Sequence, residues 1–98
     1  MTITTEQTNE KMTMHVSGKL DIITAPDLEK AINELPEEIT ELVLDMTELG
    51  YISSAGLRVL LGAHKKFENK GSMKLIGVCD EVMEIFEMTG FANILVIE

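Results

Sequence analysis

The order of apolar patterns along this chain predicts an α/β fold, a mixed four- to five-stranded sheet with helices packed against it. Three observations carry that prediction. Short alternating or compact apolar runs, which suit strands, take turns with three stretches whose apolar residues recur at helical spacing. The helical stretches carry start and stop signals, among them Thr24-Ala-Pro26, Gly71 and Gly90. The length, 98 residues, suits one small domain with one core, residues 1–98.

Thr2 to Thr8 and Met12 to Ser17 each read as a strand. The second puts Met12, Met14 and Val16 on one face and Thr13, His15 and Ser17 on the other. Asn9-Glu-Lys11 between them suits a hairpin turn. Gly18 to Ile23 is a strand end passing into a loop. Thr24 then reads as an N-cap, with Pro26 in the first turn and Asp27 completing a capping-box-like pattern. Leu28, Ala31, Ile32 and Leu35 form one apolar helix stripe, which Pro36 ends. Thr40 to Met46 is a compact apolar strand buried on both faces. A loop from Met46 to Ser54 follows it. The second helix runs from about Ala55 to Asn69, with Leu57, Leu60, Leu61, His64 and Phe67 inward and Gly71 as its stop. Met73 to Val78 is a strand, Glu81 to Met88 a third helix stopped by Gly90, and Asn93 to Ile97 a last short strand. Right-handed crossovers put the loops that follow parallel strands on one edge, where open α/β sheets bind their ligands. The Met46–Ser54 loop belongs there.

Apolar residues make up 45% of the chain, a globular composition. Aromatics are 4% and Trp is absent, so Leu, Ile, Val and Met must fill the core. No apolar run approaches the ~18 residues of a membrane span, and Met1 to Glu6 has no signal-peptide pattern. A cytoplasmic protein with no membrane association is expected. The single Cys79 agrees with a reducing compartment, and its apolar neighbours predict a buried structural thiol. The net charge of −9 argues against nucleic acid as a partner. Between residues 58 and 74, Arg58, Lys65, Lys66, Lys70 and Lys74 stand against Glu68 alone. Such a patch could meet an acidic partner, although a solvated helix face is the simpler reading.

Most chemistries fail on missing parts. A serine nucleophile needs a base and an orienting group. His15 lies in an early strand with no acid beside it in sequence, and His64 falls on a core-facing stripe. Ile52-Ser-Ser-Ala-Gly56 lacks the glycine that the G-x-S-x-G elbow places before its serine. Neither phosphate-cradling glycine motif is present, and two histidines with one cysteine make no zinc site, so no cofactor or metal is expected. Asp45 at a strand end resembles a receiver phosphoacceptor. A receiver needs further acids on its first strand, however, and Glu6 alone is there. What remains is a serine at a helix start, Ser53 or Ser54. As the bland reading it is a helix cap. As the functional one it is a phosphoacceptor, exposed beside free N–H groups, with Gly56 leaving room for close approach and Arg58 one turn along to pair with the phosphate.

Three segments resemble one family, the STAS domain, and within it the small bacterial anti-sigma factor antagonists. Gly18-Lys-Leu-Asp-Ile-Ile-Thr-Ala25 is similar to the family's G-x-L-D-x-x-T-A. Leu44-Asp-Met-Thr-Glu-Leu-Gly-Tyr-Ile-Ser-Ser-Ala-Gly-Leu57 is similar to its hydrophobic-D-hydrophobic-S/T … D-S-[ST]-G-L segment. Val82 to Gly90 matches the late helix ending in glycine. The three come in family order and span nearly the whole chain.

The resemblance implies a single STAS-like domain that is a binding switch and not an enzyme. In such systems the unphosphorylated antagonist captures an anti-sigma factor that is itself an ATP-dependent serine kinase, and so frees a sigma factor. The kinase phosphorylates the antagonist and releases itself, and a metal-dependent serine phosphatase resets it. The family's acceptor lies two residues before the motif glycine, which assigns it to Ser54, with Ser53 as the alternative. Asp21, Thr24 and Asp45 match family positions. With Ser53, Ser54, Ala55, Gly56 and Arg58 they form the expected partner-binding set. Ser53 stands where the family often has Asp, and Ala55 where it usually has Ser or Thr. A monomer is the simplest expectation. The rival readings are a STAS subunit bound to a transporter or lipid-trafficking ATPase without any phosphorylation cycle, and a small nucleotide or metabolite binder.

Overall fold

The computed structural model describes residues 1–98. Its strands are β1 (Thr2–Thr8), β2 (Lys11–Leu20), β3 (Glu41–Asp45), β4 (Leu49–Ile52) and β5 (Ser72–Ile76). Its helices are α1 (Ala25–Asn33), α2 (Ser54–Glu68) and α3 (Asp80–Thr89), with a 3₁₀ turn at Phe91–Asn93. The sheet order is β1-β2-β3-β5, antiparallel between β1 and β2 and parallel elsewhere, so the sheet is mixed. No helix is long and apolar enough to cross a membrane.

Strand β2 organises the sheet. Its first half pairs with β3, from Lys11↔Glu41 to His15↔Asp45. Past an irregularity at Gly18 and Lys19 its last residues pair with β4, ending at Lys19↔Tyr51 and Leu20↔Ile52. One strand thus serves two parallel partners in succession. The loop expected from Met46 to Ser54 therefore contains a strand. Leu49-Gly-Tyr-Ile52 is too short and too glycine-containing to announce itself, and it is extended because β2 offers it a ladder.

The core lies on one face of the sheet. Met12, Met14 and Val16 of β2, Leu42 and Leu44 of β3, and Met73 and Leu75 of β5 pack with Leu28 and Ile32 of α1, Leu57, Leu60 and Phe67 of α2, and Val82 and Phe86 of α3. No polar or charged residue is buried. The opposite face carries Thr13, His15 and Ser17, with Asp45 and Lys74 alongside. Val43 is buried on that polar face, so β3 is covered on both sides as expected.

Several expected boundaries move. Helix α1 ends at Asn33 rather than Leu35, and Leu35 packs half-buried against the core from beyond the helix. His64 is half-buried beside Glu68, 3.6 Å away, because Ala63 and not His64 occupies the inward position. Cys79 is half-buried rather than buried; its Sγ–H donates to the Leu49 carbonyl at 3.5 Å. The expected last strand is reduced to a single parallel bridge, Leu75↔Ile97, because the chain first turns through the 3₁₀ segment. Gly71 does follow α2, but for space and not for handedness. A Cβ there would overlap the backbone carbonyl of Thr40, which accepts the Ser72 N–H at 2.9 Å.

Gly71→Ala is expected to destabilise the protein by about 1–3 kcal/mol, since backbone cannot yield as a side chain can. Gly62, mid-helix and open on all sides, makes the contrast. Gly62→Ala should stabilise by about 0.5–1 kcal/mol. Thermal melts of the two variants should move in opposite directions, by about 4–8 °C per kcal/mol; a Gly71→Ala chain as stable as wild type contradicts the packing argument.

Candidate functional site

Two chain crossings meet at the carboxyl end of β2. The first is the turn from β2 to α1. Asp21 Oδ1 accepts the backbone N–H of Ile23 and of Thr24, each at 3.0 Å, and the Thr24 hydroxyl at 3.2 Å. That hydroxyl's single hydrogen lies nearer the Lys19 carbonyl, at 2.8 Å, than Asp21 Oδ1, and its oxygen accepts the Asp21 N–H at 2.9 Å. The Thr24 and Ile23 N–H groups hold the Asp21 carboxyl below the usual range. Thr24 is therefore not the side-chain cap expected of it. No cap bond forms on α1 and Asp27 takes no part, because Thr24 already has helical angles and spends its hydroxyl on the turn before it. Between these two residues Ile22 and Ile23 face solvent, 76% and 80% exposed.

The second crossing runs from β4 into α2. The Ser53 N–H donates to the Leu20 carbonyl at 2.9 Å, which extends the β2–β4 ladder to the helix. Ser53 is the N-cap residue and is extended, with φ −103° and ψ 176°, yet its side chain caps nothing; Oγ is sealed from solvent and has no partner. Ser54 is the first helical residue and is exposed. Its hydroxyl makes no hydrogen bond to the rest of the chain. The neighbouring serines thus differ sharply in what can reach them.

Gly56 has a different role from the one expected. It is buried, and a Cβ would sit 2.7 Å from Leu20 Cγ and 2.9 Å from Ile52 Cγ1. The room it leaves is filled by the protein's own core. What it permits is the close seating of α2 on the end of β2, which fixes where Ser54 stands. Ala55 is half-buried behind Ser54. Arg58 is exposed one turn along and belongs to no ion pair within the chain. A groove of about 210 Å³ joins the two crossings; Ile22, Ala25, Pro26 and Glu29 line one side and Ala55, Arg58 and Val59 the other. Of the basic run, Lys65 and Lys66 are solvated, Lys70 lies 5.2 Å over the Phe67 ring, and Lys74 pairs with Glu98 at 3.3 Å.

Asp45 lies elsewhere. It lines a polar depression on the uncovered sheet face with Thr4, His15, Ser17 and Thr47, away from the Ile22–Arg58 groove. Its Oδ1 accepts the Thr47 hydroxyl at 2.6 Å and N–H at 3.1 Å, and Oδ2 faces His15 Nδ1 at 2.8 Å. His15 Nε2 meets Glu6 Oε2 at 3.0 Å. Sequence separation hid this cluster, since the acids come from β1 and β3. Glu6 first and Asp45 second raise the His15 pKa above 6.5. The Thr47 hydroxyl, helped by the Thr47 N–H and His15, holds Asp45 below 3.8.

The site is thus a small α/β domain's surface with one free serine hydroxyl at a helix start, beside a turn held by its own hydrogen bonds. The STAS domain model matches residues 2–98, and the chain belongs to that family. The anti-sigma-B factor antagonist of Listeria monocytogenes is 33% identical over 96 residues, covering 95% of this chain and 83% of the relative. An anti-sigma factor antagonist from Mycobacterium paratuberculosis superposes with a TM-score of 0.87 at 24% identity, over 98% of this chain and 83% of that one. The antagonist SpoIIAA in its unphosphorylated form superposes at 0.77 with 19% identity, over 99% and 88% of the two chains.

The His15 cluster gives a pH prediction. The raised His15 pKa adds stability that is complete below about pH 6.5, the unfolded value, and is lost as pH rises through the folded value. The lowered Asp45 pKa adds stability above 3.8 that is lost as pH falls through its folded value. Urea midpoints should therefore decline on the alkaline side of about pH 6.5. His15→Gln should flatten that decline, and high salt should shrink it. An unchanged slope in His15→Gln contradicts the assignment.

Proposed function

We propose that this chain is an anti-sigma factor antagonist of the bacterial cytoplasm, not an enzyme, switched by phosphorylation of Ser54. Unphosphorylated, it captures an anti-sigma factor that is also an ATP-dependent serine kinase, and so frees a sigma factor. Transfer of the γ-phosphoryl group of ATP to Ser54 Oγ, with loss of the hydroxyl proton and release of ADP, ends the capture. A metal-dependent serine phosphatase restores the hydroxyl by hydrolysis. The observation that carries this reading is the contrast at the start of α2: Ser54 exposed and unbonded, Ser53 Oγ sealed. An acceptor must enter a kinase active site, and of the two adjacent serines Ser54 is the one open to solvent.

The physics of the switch follows from the position. A phosphate adds roughly −1.5 to −2 charges. In the free chain those charges meet the amino end of α2, where a negative group gains about 0.3–1 kcal/mol, and Arg58 four residues on. The fold accommodates them. A partner docked over the same turn faces a bulky dianion that it has no groups to neutralise, and burying such a charge unpaired costs several kcal/mol. The name of the Listeria relative, at 33% identity over 95% of this chain, favours this reading over a subunit bound constitutively to a transporter or ATPase.

Incubation with the cognate kinase and ATP should place one phosphate on Ser54 and none on Ser53, read by mass spectrometry. Ser54→Asp should weaken capture of the anti-sigma factor by at least about a hundredfold, the scale of roughly 3 kcal/mol, with the melting temperature preserved. Ser54→Ala should bind as wild type does. An active kinase that leaves Ser54 unmodified would falsify the assignment.

A further inference from the structure

The chain exposes six large apolar side chains, and two of them, Ile22 and Ile23, adjoin at the tip of the β2–α1 turn; Tyr51, 47% exposed, lies on the neighbouring strand β4. Tyr51 pairs in register with Lys19, whose carbonyl anchors the Thr24 hydroxyl, so it stands at the base of the β2–α1 turn. Ile22 lines the groove whose other wall is Ala55, Arg58 and Val59, the residues that flank Ser54 on α2. Two adjacent isoleucines at a turn tip expose apolar area that water disfavours, and nothing in the fold needs them there. A loose turn could fold them inward. This one is held out, because Asp21 Oδ1 and the Thr24 hydroxyl tie it through four donors, the N–H groups of Asp21, Ile23 and Thr24 and the Thr24 O–H. A rigid apolar tip, ordered before any encounter, loses little conformational freedom on binding.

We propose that Ile22 and Ile23 form an apolar prong that enters an apolar pocket of the anti-sigma factor and determines which anti-sigma factor this chain recognises, and that Asp21 and Thr24 are positioning residues that hold the prong out. This deepens the antagonist reading and rests on it. The prong is continuous with the Ser54 surface through the Ile22–Arg58 groove, so one partner face covers both. That arrangement separates two jobs. The prong supplies affinity and selectivity whatever the phosphorylation state, and the Ser54 hydroxyl supplies the switch. Asp21, placed among the partner-binding residues on sequence grounds, acts from behind the surface: its Oδ1 is filled by the turn's own N–H groups.

The test uses the full chain and the kinase-type anti-sigma factor that captures it, with affinities from calorimetry and melting temperatures in parallel. Ile22→Ser and Ile23→Ser should each weaken capture by about tenfold to about a hundredfold, the scale of burying one isoleucine. Melting temperatures should stay put, since both side chains are already in solvent. Asp21→Ala should weaken capture in the wild-type chain but add nothing to an Ile22→Ser/Ile23→Ser background, and Asp21→Asn, which keeps Oδ1, should restore it. If Ser54→Asp abolishes capture while both isoleucine variants bind as wild type, the prong is wrong and the switch stands. If Asp21→Ala weakens the double variant by the same factor as wild type, Asp21 touches the partner itself and the positioning role is wrong. If the wild-type chain captures no such factor, or Ser54→Asp binds unchanged, the antagonist reading fails and the prong fails with it.

Discussion

Leu20 is the point on which the site depends. Its carbonyl accepts the Ser53 N–H, its backbone pairs with Ile52, and its side chain fills the space that Gly56 leaves open. These contacts clamp the end of β2 to the start of α2 from two directions, one polar and one apolar. The β2–α1 turn begins at the next residue. Both crossings are therefore tied to the same residue, and the position of Ser54 relative to the Ile22–Ile23 tip follows from the ladder. A methyl group at position 56 would push α2 off Leu20 and move the serine with it. The motif glycine thus shapes the surface without belonging to it.

A second consequence concerns how a surface can change charge without changing fold. Ser54 lies outside the ladder and outside the core, and its hydroxyl holds nothing in place. The amino end of α2 and the unpaired Arg58 offer compensation to an added anion within the free chain. Ser53 is the reverse case: its backbone carries the last rung to β2, and a phosphate on its sealed Oγ would have to break the helix start. Adjacent serines are distinguished by burial and by which backbone groups they commit.

Much of the fold was legible because it rests on local pattern. The stripes of α1 and α3, the alternation of β2 and the compact run of β3 are each set by residues near in sequence, and all four elements form, with ends shifted by one to three residues and Leu35 left outside α1. What escaped depends on partners far along the chain. Leu49-Gly-Tyr-Ile52 becomes a strand only because β2 outruns β3 and offers a free ladder. His15 had no acid beside it until the register His15↔Asp45 and the β1 hairpin brought two. Thr24 read as a cap because Thr before Ala-Pro usually is one; Asp21, three residues earlier, competes for the same hydroxyl and wins. The Asp-x-x-Thr spacing carried that signal, and with it the outward Ile22 and Ile23. The resemblance of Ile52-Ser-Ser-Ala-Gly-Leu57 to the STAS motif selected Ser54, whereas the physical reason, the sealed Ser53 Oγ, needed the packing of α2 on β2.

The central claim is that a phosphate on Ser54 rewrites one surface and leaves the interior alone. Backbone amide chemical shifts of the phosphorylated and unphosphorylated chains, compared residue by residue in solution, test it most directly. The account predicts changes confined to the first turn of α2, the end of β4 and the β2–α1 turn, with the amides of β3, β5 and α3 unmoved. Shifts spreading through β3 and β5 would mean that phosphorylation alters the fold, and would contradict a switch that works by charge and bulk at the surface.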